Sequence, residues 1–288
     1  MRAHREPVRI RGRGFSLVEL AVVMAIVALL LGGLIYTLSA QTEQRNFEET
    51  RRRLEQARDL LLGFAIINGR LPCPARSAAT AAPATTAGDE VRTTGGVDPD
   101  CVGDALTDYY GGTSGGVTLG LLPARAIGYQ QVDASGFAVD AWGNPIRYAV
   151  SHLVTNCSGA FTYPHWTNST NLKTNGISCQ PNDLLVCKSS TGITGTTCGG
   201  AANQIMSQSL VVAIIFSTGK NFVTAQDAAT AAAAGRTDEA ANLNGDRIFV
   251  YHAPATSDAL TGGEFDDQFL WITAGELYGR MVAAGVLP

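Results

Sequence analysis

The chain has 288 residues, 45% of them hydrophobic and 16% charged, and its 21 basic and 25 acidic residues give a formal net charge of −4. Five arginines (Arg2, Arg5, Arg9, Arg11, Arg13) and one acid, Glu6, fall in the first 14 residues, so the remainder carries 16 basic and 24 acidic residues, a formal −8. Duplex nucleic acid attracts the opposite balance, and no nucleic-acid partner is expected.

The first element is the run from Phe15 to Tyr36, in which Ser16 and Glu19 are the only strongly polar residues. As a helix it is long enough to span a bilayer. An amphipathic core helix would carry a polar residue every third or fourth position, and none falls between Leu20 and Tyr36. The arginines ahead of the run hold the N-terminus in the cytoplasm, so everything after Tyr36 is expected to be exported. A secretory signal peptide is the competing reading, with Ser39-Ala40 a weak match to its cleavage pattern, but it leaves Glu19 unexplained. A carboxylate at the bilayer centre costs about 2.5 to 3.5 kcal/mol and marks function by default. If the chain is cut between Gly14 and Phe15, the new α-amine lies one helical turn from Glu19, and a neighbouring subunit shifted along the axis can present its own amine to that carboxylate.

The stretch RGRGFSLVELAVVMAIVALLLGG resembles the leader of type IV pilin-like prepilins: a basic leader, Gly14 before the cut, Phe15 as the new first residue, Glu19 fifth after the cut, then a spanning run. The resemblance implies processing by prepilin peptidase at Gly14/Phe15, methylation of Phe15, and an assembly role for Glu19. Tyr36 stands where many type IV pilins have a helix-kinking proline, and 288 residues suit a minor or specialised subunit.

From Gln41 to Asn68 the sequence turns polar but keeps helical character, with Leu54, Ala57, Leu61, Phe64 and Ala65 forming one apolar stripe. Asn68-Gly69 supplies a C-terminal stop, and Pro72 and Pro74 forbid continuation. Arg51, Arg52 and Arg53 lie within a turn of Glu48, Glu49 and Glu55, which favours a solvated ion-paired face over a membrane-surface anchor. The expected organisation is a cleaved cytoplasmic leader (1–14), a stem helix (15–68, transmembrane over 15–36) and an exported globular head (69–288).

Within the head, 76–104 reads as loop and 115–129 as a strand or short helix. Runs at 145–154, 209–218, 247–253 and 268–273 read as strands bounded by Gly, Asn, Asp or Pro. The Ala-rich 224–242 reads as an exposed helix or a mobile loop, and the tail from Gly275 as a short helix. A stem helix followed by an antiparallel β-sheet head with loop inserts gives an α+β class.

Six cysteines follow Tyr36, an even number that implies disulfides outside the cytoplasm. Proximity favours Cys73 with Cys101 and Cys187 with Cys198, leaving Cys157 with Cys179. There is no CxxC pair to support zinc. His152, His165 and His252 sit in or beside strands and turns, no hydrolase, zincin or phosphate-loop motif is present, and no catalytic residue is expected.

Three further blocks, DAWGNPIRYAV (Asp140–Val150), FSTGKN (Phe216–Asn221) and TGGEFDDQFLWI (Thr261–Ile272), resemble segments of the major pseudopilins of type II secretion. That family binds calcium in its C-terminal loops, which implies Asp267 as a ligand with Asp266 and Glu264 as neighbours. Lys220 departs from the pattern by standing where an acid is expected. Without an ion, Asp266 and Asp267 would simply cap the turn before the last strand, and Trp142, Gly143, Asn144 and Pro145 read as fold determinants. The sequence therefore leads to a minor pilin or pseudopilin in the inner membrane, then in a periplasmic or cell-surface filament. The partners implied are other pilin or pseudopilin subunits, prepilin peptidase, an inner-membrane assembly platform and the lipid bilayer. The alternatives are a minor pilin whose inserts bind a surface and an anchored periplasmic binding module that never polymerises.

Overall fold

The computed structural model describes residues 14, 16–77, 88–92, 101, 107–114, 117–157, 164–224, 226–255 and 262–287, with side chains left out at 31–39, 107–108, 113–114 and 224. Helix α1 runs Leu17–Asn68 over 52 residues. The chain divides into two compact units, Met1–Phe47 and Glu48–Pro288.

In the first unit the described side chains from Leu17 to Leu30 are exposed. Among the described residues no helix is long and apolar enough to cross a membrane. The span expected over 15–36 includes Phe15 and the side chains of 31–36, which lie outside the described residues.

In the second unit α1 buries Leu54, Ala57, Leu61, Leu62 and Ala65, spaced so that they fall on one stripe. Its solvent side is laced by Arg51–Glu55 at 3.2 Å, Arg52–Glu49 at 3.2 Å and Arg53–Glu49 at 3.1 Å. Such exposed pairs contribute little stability, but Arg53 also donates to the carbonyls of Val139 (3.1 Å) and Asp140 (2.6 Å) and ties the helix to the head. The helix ends at Gly69, whose φ of +70° lets its N–H reach the Ala65 carbonyl at 2.9 Å. Arg70 then forks onto Glu90 at 2.8 and 2.6 Å, and Glu90 also accepts from the Cys73 N–H.

The remaining elements are β1 (Gly112–Ser114), β2 (Val117–Leu119), β3 (Arg147–Val150), β4 (Val154–Thr155), β5 (Gln180–Pro181), β6 (Leu185–Cys187), β7 (Gln204–Met206), β8 (Val211–Ser217), β9 (Ile248–Val250) and β10 (Gln268–Thr273). The helices are α2 (Thr107–Tyr110), α3 (Ala124–Ile127), α4 (Ser169–Asn175), α5 (Ala228–Ala233), α6 (Thr237–Leu243) and α7 (Ala274–Ala283). The central sheet has the order β10-β8-β3, antiparallel throughout, with Phe269 opposite Phe216 and Tyr148 opposite Ile215. All seven residues of β8 are buried, as an unbroken apolar run in a middle strand requires. The 115–129 segment forms both of the expected kinds of element, strand β2 and helix α3.

A second sheet has the order β7-β6-β9, and here β6 and β9 run parallel, Leu185 opposite Ile248. This departs from a purely antiparallel head: β7, β8 and the α5–α6 insert intervene between the two strands, and a long crossover permits parallel pairing. The Ala-rich segment is helical, as one of its two readings had it, with most of α5 exposed and most of α6 buried. It folds as α5 and α6, whose Ala231, Ala240 and Leu243 pack with Phe222 in a small core of their own.

Three disulfides join Cys73–Cys101, Cys157–Cys179 and Cys187–Cys198. The Asp140 turn is fixed from inside. Asp140 Oδ1 accepts from the N–H groups of Trp142 (2.9 Å) and Asn144 (2.8 Å), and Oδ2 accepts from the Ser217 hydroxyl at the end of β8 (2.6 Å). Trp142 itself is only half-buried.

Candidate functional sites

At the N-terminus, Gly14 and Ser16 are exposed and Phe15 lies outside the described residues. Ser16 precedes the first turn of α1, and Glu19 lies three residues on. The Glu19 N–H donates to Ser16 Oγ at 3.2 Å, and the Ser16 N–H donates to Glu19 Oε2 at 3.1 Å. This reciprocal pair is a capping box, which satisfies two amides that a helix start leaves unpaired. The carboxylate of Glu19 is thereby turned toward the positive end of its own helix.

In the head, the turn after β8, the start of α6 and the residues before β10 bring three buried carboxylates together. One oxygen each of Glu239, Asp266 and Asp267 lie within 4.8 Å of one another. Glu239 Oε1 accepts from Asn221 Nδ2 (2.8 Å) and the Asp266 N–H (3.0 Å), and its Oε2 lies 3.5 Å from Arg236. Asp266 Oδ2 accepts from the N–H groups of Lys220 (3.0 Å) and Asn221 (3.2 Å), and Asp267 Oδ2 from Asn242 Nδ2 (2.7 Å). The other two oxygens, Asp266 Oδ1 and Asp267 Oδ1, are buried with no hydrogen-bond partner among the described residues. Gly219 permits this approach, because a Cβ there would stand 1.9 Å from Asp266 Oδ1.

Burial pushes the Asp266 carboxyl up to about 6 and raises Glu239 and Asp267, and for Asp267 the charge of Glu239 adds to the effect. Arg236 and the fully buried Arg147, which interacts electrostatically with Asp267, offset only part of three negative charges. Hard carboxylate oxygens, two of them without donors, in a pocket short of positive charge are the donor set of a divalent cation such as calcium. The residues fit that ion, and Glu239, Asp266 and Asp267 are the ones that would hold it.

Residues 9–35 match the family model of the prokaryotic N-terminal methylation motif. This match indicates a type IV prepilin-like protein. In a prepilin-like chain the motif supports recognition by prepilin peptidase, and it implies membrane-anchored export and assembly with other pilin subunits. No curated protein and no solved structure matches the chain.

The expected metal residues Asp266 and Asp267 stand together, while Glu264 is exposed and outside the trio, acting on Asp266 only through its charge. Lys220, out of pattern in the sequence, is exposed and meets Asp266 through its backbone N–H. Sequence reasoning missed Glu239. The available signal was the pair Glu239 and Asn242, three residues apart and so on one face of α6, an unusual polar face amid alanines.

Among the described residues, the three histidines each have neighbours of their own. His165 Nε2 lies 3.3 Å from the Tyr278 hydroxyl beside Trp166, and burial lowers it to about 4. His152 packs on Tyr109, and His252 Nε2 lies 3.2 Å from Asp238 with its ring against Phe265.

Proposed function

We propose that the chain is a structural subunit, a minor pilin or pseudopilin, of a type IV pilus or a type II secretion filament. It enters the inner membrane through the Phe15–Tyr36 segment, loses its leader between Gly14 and Phe15, and joins a bundle of stems in which Glu19 pairs with the free amine of a neighbour. The observation that carries this reading is the N-terminal methylation motif over residues 9–35, with Glu19 the one carboxylate in the apolar run that follows the leader. A lone charge in an apolar run is costly to take out of water, which supports a neutralising partner.

In the head, a calcium ion held by Glu239, Asp266 and Asp267 would supply the positive charge that the trio lacks and join α6 to the start of β10. This reading rests on the two buried oxygens without donors.

Replacing Glu19 with Ala tests the filament reading. Membrane insertion and leader cleavage are expected to persist while recovery in sheared filaments collapses. An anchored module that never polymerises would be indifferent to the change, and that result would refute the proposal.

A further inference from the structure

A cleft of about 480 Å³ opens beside β6 and β7, and none of the residues that line it is charged. Its walls come from Leu185 of β6, from Thr196 and Thr197 with the glycines that follow, from Gln204 of β7, and from Ser207 and Gln208 beyond that strand. The volume is that of a small-molecule site. Its polar groups have hydrogen-bonding capacity to spare. The Gln204 carboxamide and the Thr196 hydroxyl make no side-chain hydrogen bond among the described residues, and Gln208 uses its Nε2 on Asn182 Oδ1 (2.9 Å), which leaves Oε1.

The cleft is also built in advance. One wall is the end of the loop from Lys188 to Thr197, which the Cys187–Cys198 disulfide closes. Three other segments fasten that loop. The Ser190 N–H donates to Asp238 Oδ1 of α6 (2.6 Å), Arg247 Nε donates to the Gly195 carbonyl (3.1 Å), and Asn203 Nδ2 donates to the carbonyls of Ser189 and Cys198 (2.9 Å each). Gly199, at φ +79°, lies against Gly192, where a Cβ would run into the carbonyl. An exposed loop held at so many points loses little freedom when a ligand settles on it.

We infer that this cleft binds a neutral oligosaccharide. Each sugar hydroxyl both donates and accepts, and the hydroxyl of Thr196 and the carboxamides of Gln204 and Gln208 offer both functions without charge. A charged ligand would lose its hydration and meet no opposite charge in the lining, while an apolar one would leave these polar groups unsatisfied. None of the carboxylate trio lines the cleft, and the inference does not depend on the filament reading.

The test applies the full-length chain, in a detergent without a sugar headgroup, to an array of short neutral oligosaccharides of hexoses and N-acetylhexosamines beside their sialylated and sulfated counterparts. Calorimetry then follows with the best neutral saccharide free in solution. Binding to neutral saccharides is expected, and Gln204→Ala and Thr196→Ala, neither of which removes a side-chain hydrogen bond among the described residues, are each expected to weaken it about fivefold. Binding on the array alone assigns the site to surface-linked chains, and binding in solution as well assigns it to free sugars too; either result supports the inference. No binding to any neutral saccharide, or a preference for the sialylated or sulfated forms, overturns it. Neutral-sugar binding that both variants leave unchanged also overturns it, because the sugar would then sit elsewhere on the chain.

Discussion

Asp183 is fully buried and heavily used: it accepts from the Tyr110 hydroxyl (2.7 Å), the Ser151 hydroxyl, and the N–H groups of His152 (2.7 Å), Leu153 (2.9 Å) and Leu184 (3.0 Å). One carboxylate thus closes the chain between β3 and β4 onto the start of β6. Asp183→Ala strands several buried donors at once, and a loss of about 3 kcal/mol or more is expected in urea unfolding. His165 makes a different prediction. Burial holds it neutral down to about pH 4 in the folded state, whereas the unfolded imidazole takes a proton below about 6.5. Between those values the unfolded chain binds more protons, so this residue's contribution is lost as the pH falls through the window, by about 3 kcal/mol at full extent. The buried carboxyls of the head have raised values and act with the opposite sign in part of the same range. The measurement is therefore the difference in pH dependence between the wild type and His165→Gln, which should unfold less readily in acid. At this scale the sequence was informative where the partners are close in the chain, as for the turn over Trp142, Gly143, Asn144 and Pro145, which Asp140 closes. It was uninformative for Asp183 and Glu239, whose partners are brought in from other elements.

Helix α1 shows what an element's own residues dictate. The stripe at Leu54, Ala57, Leu61 and Ala65 and the stop at Gly69 follow from helical periodicity and from the left-handed conformation that ends it. A Cβ at Gly69 would meet the flexible Lys173 side chain at 3.3 Å, so Gly69→Ala should cost about 1 to 2 kcal/mol, mainly for the positive φ, as read by chemical denaturation. Strands β8 and β10 were equally legible, being apolar runs bounded by turn residues. Helix α6 was not: alanine gives no contrast between a buried and an exposed face, and this helix is buried both by Ala240 and Leu243 in the small core around Phe222 and by polar residues that meet the turn after β8 and the residues before β10. That junction predicts a response to cations. Adding calcium to the chelated protein should raise its melting temperature, and Asp267→Asn should abolish the increment while leaving the metal-free protein no less stable, because one of three crowded charges is removed.

For the molecule as a whole, the class of α-helix followed by β-sheet head was readable from the order of apolar runs, but the pairing of β6 with β9 was not, since parallel partners separated by two strands and two α-helices leave no local mark. The two units carry different parts of the account: the head holds its buried core, three disulfides and carboxylate trio, and the N-terminal unit carries the methylation motif and the capped Glu19. The account turns on a new amine created between Gly14 and Phe15. The intact mass and N-terminal sequence of the exported protein test this most directly. A chain that begins at Phe15, with its amine methylated, is the predicted result. A chain that keeps its arginine-rich leader, or one that begins just after Ala40 as a cleaved signal peptide would leave it, would contradict the account.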